Sequence, residues 1–275
     1  MASVLALASI AVLAATARVD GGLIVALGFD ASSQMILKAD PEALYRSGDG
    51  GHVWIPIPLP AAAKGHIASV AISGKGKGAL YIAGPAMGVL RTEDGGRTWA
   101  ARNKGLPGDK VIALAVHTDQ PDTVYASVSG QGIFRSEDAG RSWRLMDKGP
   151  RENIVQFVHS NMPGSMQTGW LFAATSKGVS RAMDCFCGWR DAGGLSGKIS
   201  AVSYDPSQPR HVYAATSNGV FLSANGGEEW TKMVSPPARI TALLATPSGA
   251  LYAATRDGRV YRSADRGNTW EQTGA

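Results

Sequence analysis

Ser47-Gly-Asp-Gly-Gly-His-Val-Trp54 is answered 45 residues later by Thr92-Glu-Asp-Gly-Gly-Arg-Thr-Trp99, and then by Ser136-Glu-Asp-Ala-Gly-Arg-Ser-Trp143. The phrase returns as Ser223-Ala-Asn-Gly-Gly-Glu-Glu-Trp230 and as Ser263-Ala-Asp-Arg-Gly-Asn-Thr-Trp270. A degraded copy, Ala182-Met-Asp-Cys-Phe-Cys-Gly-Trp189, keeps only the spacing from acid to indole. Successive tryptophans lie 45, 44, 46, 41 and 40 residues apart, so one supersecondary unit has been copied six times.

The unit reads most clearly from Ile199 to Trp230. Ile199–Asp205 alternates apolar and small residues, and Val212-Tyr-Ala-Ala-Thr216 is a second strand after a proline-flanked turn. Ser217-Asn-Gly219 is a hairpin signal; Val220–Ser223 is a third strand and Trp230–Met233 a fourth. The same order fits Leu23 to Trp54 without a gap. A four-stranded meander of this length cannot bury both faces alone, so copies stack and close. The expected fold is an all-β, six-bladed β-propeller, with blades at about 23–60, 61–105, 106–149, 150–195, 196–235 and 236–275. Seven blades would follow if residues 1–17 supplied strands, since Val12-Leu-Ala-Ala-Thr16 imitates the Tyr-Ala-Ala-Thr strands. The last blade already supplies its own fourth strand, so closure must rest on packing between blades one and six, or on residues 1–17.

Each part of the repeated phrase serves folding. The acid can accept backbone N–H groups of its own turn, the glycine admits a conformation closed to other residues, and the indole packs on a neighbouring sheet. Asp49, Asp94, Asp138, Asp184, Asn225 and Asp265 therefore read as structural, together with Trp54, Trp99, Trp143, Trp189, Trp230 and Trp270. A calcium loop would need a string of oxygen ligands ending in Glu, which is absent.

Composition adds exclusions. The net charge of +5 comes without a basic run longer than two residues, so no concentrated nucleic-acid signal exists. Cys185 and Cys187 read as two free thiols, a redox or metal role being the lesser alternative. The five histidines, His52, His66, His117, His159 and His211, look too scattered for a metal set. No catalytic, cofactor or metal residue is assigned. Residues 2–17 carry no charge and end in Ala15-Thr-Ala17. Residues 1–22 thus read as an apolar export signal or uncleaved membrane anchor, placing the chain in the periplasm or on an extracytoplasmic membrane face.

The repeated phrase is identified as the Asp-box, or BNR repeat, over residues 23–275. Propellers of this kind occur among sialidases, xyloglucan-cleaving glycosidases, sortilin receptors and photosystem II assembly factors, so the resemblance implies a fold more than an activity. A sialidase-like site would need an arginine triad and a Tyr/Glu/Asp set. Arg46, Arg91, Arg135, Arg181 and Arg262 instead share one repeat position, one residue before the Ser/Thr position. They read either as scaffold within each blade or as a row of cations for acidic protein segments. The chain is most similar in kind to the small single-propeller assembly factors. That likeness implies a non-catalytic, protein-binding accessory subunit or assembly factor of a membrane complex, with no cofactor, no nucleic acid and membrane contact through residues 1–17. The alternative is a sialidase-like glycoside hydrolase or glycan-binding protein. Blade four breaks the repeat twice, in a long first loop and in the degraded Asp-box. Met162, Met166, Trp170 and Phe186 are expected there as an adaptable apolar surface for a partner.

Overall fold

The computed structural model describes residues 22–61, 63–73, 78–166, 168–186 and 188–274. The expectations for residues 1–17, including a seventh blade, lie outside them.

Six four-stranded antiparallel sheets form, each a meander in chain order. Their innermost strands are Ala26–Asp30, Ser69–Ile72, Val111–Val116, Ile154–Ser160, Ile199–Asp205 and Ile240–Ala245. Each packs on the next, and Ala26–Asp30 returns to Ile240–Ala245, so the ring is a closed six-bladed propeller. Among the described residues there is no helix, hence none able to cross a membrane.

The second strands explain why the blades stack so closely. Tyr81, Tyr125 and Tyr213 are fully buried, beside runs of alanine such as Ala173-Ala174, Ala214-Ala215 and Ala253-Ala254 at 0% exposure. Large rings fill the wedge between sheets, small residues let the neighbouring sheet approach, and each buried ring contributes about 2 kcal/mol. Six apolar clusters result, each bridging one pair of neighbouring blades. Closure uses the sixth: Ile24, Leu27 and Ile36 of blade one pack on Ala250, Tyr252 and Val260 of blade six. Packing of one blade face on another thus shuts the ring, the first of the two routes open from the sequence.

Candidate functional site

Five copies of the Asp-box form the same knot. In the third, Ser136 Oγ donates to Asp138 Oδ1 at 2.7 Å and accepts from the Gly140 N–H at 2.8 Å. Asp138 also accepts from the Ser142 N–H at 2.8 Å and from its hydroxyl. The Ser142 hydroxyl is the largest cause holding the Asp138 carboxyl down at about 2. Asp49, Asp94 and Asp265 are likewise below the usual carboxylate range, and Asn225 makes the same turn without charge. These side chains spend their oxygens on their own backbone.

The tryptophans reach backwards. The Nε1 of Trp99 donates to Pro58 O, of Trp143 to Arg102 O, of Trp189 to Asp147 Oδ1, of Trp230 to Ala192 O and of Trp270 to Val234 O, at 2.8–3.0 Å. Each acceptor lies just beyond the outer strand of the preceding blade or in it. Trp54, at the joint between blades six and one, has a buried Nε1 with no acceptor among the described residues. Lys38 lies over its ring at 4.5 Å, and burial lowers that ammonium to about 8 against the opposing pull of Asp40.

The arginines are tied into the scaffold. Arg91 donates to Tyr81 Oη at 2.9 Å and Arg262 to Tyr252 Oη at 3.2 Å, each facing its partner in strand register. Arg135 lies over Tyr125 and Arg181 over Trp170. Several reach forward: Arg181 donates to Gly226 O, in the next blade's Asp-box, and Arg262 lies beside Gly50 of blade one. Arg46 similarly lies beside Gly95 in the Asp-box of blade two. The row therefore joins blades as well as stacking within them.

Blade four departs from its sequence reading. Met162 is 6% exposed, tucked against Gly226, while Trp170 and Phe186 are half-buried against neighbouring clusters. Of the expected apolar surface only Met166, 75% exposed, is presented to solvent. Cys185 is disulfide-bonded, which corrects the reading of free thiols; Cys187 lies outside the described residues.

Asp184 is a second correction. With Ala182 where other boxes have a hydroxyl, the acid is buried and, among the described residues, locks no turn of its own, accepting instead from the N–H of Thr168 at 3.2 Å and from the Thr168 hydroxyl. The Nε2 atoms of His117 and His159 each lie 3.7 Å from Asp184 Oδ2, and the two imidazoles stack at 3.9 Å. Burial opposes ionisation of Asp184, but the neighbouring His159 and the Thr168 donors outweigh it and hold the carboxyl at about 2. Burial, and then the neighbouring His159, push His117 down to about 4. The histidines are thus not all scattered. His117 and His159 stand 42 residues apart, close to one repeat, and that spacing places them in one layer of adjacent blades.

These donors do not suit a metal ion. His117 Nδ1 accepts the N–H groups of Asp119 and Gln120, both at 3.1 Å, and His159 Nδ1 accepts that of Thr118 at 3.2 Å. A nitrogen that accepts a backbone N–H carries no proton, so Nε2 carries it and has no lone pair for a cation.

The innermost strands surround a central cavity of about 420 Å³, lined by side chains such as Phe29, Ile72, Val116, Gln156, Tyr204 and Leu244. Among the described residues its lining holds one carboxylate, Asp119, and no lysine or arginine. None of the five repeat-locked arginines reaches it, and a two-carboxylate hydrolase would need an acid pair.

A family model for the photosynthesis system II assembly factor YCF48 matches residues 19–175, and one for a DUF6242 β-propeller domain matches residues 199–275. No curated protein matches the sequence. Among solved structures, the GH74 enzyme of Niastella koreensis is 17% identical with a TM-score of 0.65, covering 91% of this chain and 46% of that one. The GH74 xyloglucanase from Xanthomonas campestris is 18% identical with a TM-score of 0.68, covering 92% and 45%. A YCF48 bound to a D1 peptide is 20% identical with a TM-score of 0.60, covering 92% and 82%. The chain spans about half the length of these two GH74 enzymes, and at such identities the likeness is one of fold.

Proposed function

Because the chain belongs to the photosynthesis system II assembly factor YCF48 family, we propose that it is a non-catalytic propeller that holds a polypeptide segment of a partner protein. The observation that carries this reading is the central cavity: largely apolar, with one carboxylate, two imidazoles and no lysine or arginine among the described residues. Such a lining suits an uncharged stretch of chain better than a sugar acid or a phosphate. Asn161 adds at the cavity wall a buried Oδ1 with no partner among the described residues, an acceptor for an incoming peptide N–H. The structurally similar YCF48 bound to a D1 peptide supports the same class of ligand.

The partner in this reading is a subunit of a membrane complex, met on the extracytoplasmic side, with residues 1–17 as export signal or anchor. The tagged full chain, purified from detergent-solubilised membranes after cross-linking, should carry a membrane subunit identifiable by mass spectrometry. Asn161→Ala should reduce that recovery severalfold. Recovery of the chain alone from the soluble fraction would overturn the reading, and so would release of sugar from xyloglucan or a sialoside by the purified protein.

A further inference from the structure

The residue at or just after the end of each innermost strand holds one repeat position, and in four of the blades it has the same job. Asp30, Ser73, His117, Ser160, Asp205 and Thr246 succeed one another at intervals of 43, 44, 43, 45 and 41 residues. Asp30 Oδ1 accepts the N–H of Ser32, Ser160 Oγ that of Met162 and Asp205 Oδ1 that of Ser207. In these three blades the side chain at this position caps the turn that leaves the central channel. In blade three the same work falls to an imidazole, His117 Nδ1 accepting from both Asp119 and Gln120.

An imidazole differs from a carboxylate or hydroxyl in where a proton must go. Nε2 of His117 already carries one, directed at Thr168 Oγ1 at 2.6 Å and toward Asp184. The single free lone pair is on Nδ1, the atom at which two backbone N–H groups point. Proton uptake there turns an acceptor into a donor and expels both. His159, from blade four, holds the start of the same turn across the blade boundary, its Nδ1 accepting the N–H of Thr118. Thr118 and Asp119 line the central cavity, and Thr118 Oγ1 lies 3.1 Å from Tyr204 Oη of blade five.

We propose that the turn Thr118–Gln120 is a proton-released part of the channel rim, held in place while His117 is neutral and freed when it gains a proton. Other charged or titratable groups bear on the switch. Asp184 and Asp119 favour the proton, while His159 in the stack and Arg135 on the third strand of blade three oppose it. Tyr125, on the second strand, stacks on His159. Burial, and then the neighbouring His159, depress the affinity of His117 for a proton to about 4 in place of 6.5, which keeps the imidazole neutral, and the cap in place, near neutral pH. In a turn that has opened, the imidazole regains its ordinary affinity. Opening should therefore rise about tenfold per pH unit between roughly 6.5 and 4, or on the order of twentyfold from pH 7 to pH 5.

Native-state hydrogen exchange on the full chain, corrected for the intrinsic pH dependence of exchange, reads this directly. The amides of Asp119 and Gln120 should lose about twentyfold in protection between pH 7 and pH 5. That of Met162, capped by a serine hydroxyl, should stay constant. His117→Asn offers an oxygen at the Nδ1 position that does not titrate, and should keep the turn protected at both pH values. Equal protection of the wild-type turn at both pH values would overturn the proposal, as would a His117→Asn variant that loses protection like the wild type. Imidazole nitrogen NMR shifts provide a check independent of the variant's folding: a proton on His117 Nδ1 at pH 7 would refute the mechanism. None of these readouts involves a partner, so failure here leaves the peptide-binding reading untouched.

Discussion

The hydrogen bonds from each indole to the preceding blade make a paired substitution informative. Trp230 and Trp54 are both half-buried at the same repeat position, but Trp230 Nε1 has Ala192 O at 2.8 Å and Trp54 Nε1 has no acceptor. Phenylalanine at either site loses similar ring area, so that cost cancels in the comparison. Trp230→Phe additionally gives up the bond and strands a carbonyl, about 2 kcal/mol together. Trp54→Phe discards a donor already unmet, and weakens the contact with the Lys38 ammonium by roughly 0.5 kcal/mol. The net gap of about 1.5 kcal/mol corresponds to a melting temperature roughly 3–6 °C lower for Trp230→Phe in a chain of this size. Urea unfolding followed by far-ultraviolet circular dichroism gives the free energies, and calorimetry the temperatures. Equal destabilisation by the two variants would refute the idea that these bonds hold blade to blade.

Two further outcomes test the remaining assignments. Met162→Ala, at a buried site, should cost about 2–3 kcal/mol, whereas Met166→Ala, at an exposed one, should fall within about 0.5 kcal/mol of wild type in the same unfolding experiment. For the Asp-boxes the folded carboxyls bind protons more weakly than unfolded ones, Asp138 and Asp265 each being lowered from 3.8 to about 2. Their contribution is whole above about pH 4 and drains away as pH falls toward 2, so urea midpoints should drop across that window and drop less in Asp138→Asn. A midpoint flat from pH 4 to pH 2 would contradict this, and the separate window of His117, from about 6.5 to 4, keeps the two effects apart.

The ring is legible in the repeat alone, because Ser/Thr-x-Asp-x-Gly-x-x-Trp specifies a turn by local chemistry and its period specifies the stack. The role of the arginines was half legible. Their shared position placed them in the scaffold, but the reach of Arg181 to Gly226 crosses between blades and no spacing within one copy reports it. Met162 was misread because a loop residue in sequence can still fill a gap under a neighbour's glycine, here Gly226. Asp184 was misread because its spacing to Trp189 survived while its hydroxyl partner did not. Freed from its turn, the carboxylate found Thr168 and two histidines contributed by different blades. The signals that could have exposed this were Ala182 in the hydroxyl position and two histidines nearly one period apart.

The indole bonds all run one way, from a later blade to an earlier one, and the blade-six-to-blade-one junction is the place where the pattern lapses. A chain emerging from its N-terminus can fasten each new blade onto one already made, like bricks laid in a course. Among the described residues the first and last blades meet without that fastening, on apolar packing and the reach of Arg262 to Gly50. Mechanically the disc is a split washer, and strain imposed anywhere on its circumference is relieved at the slit.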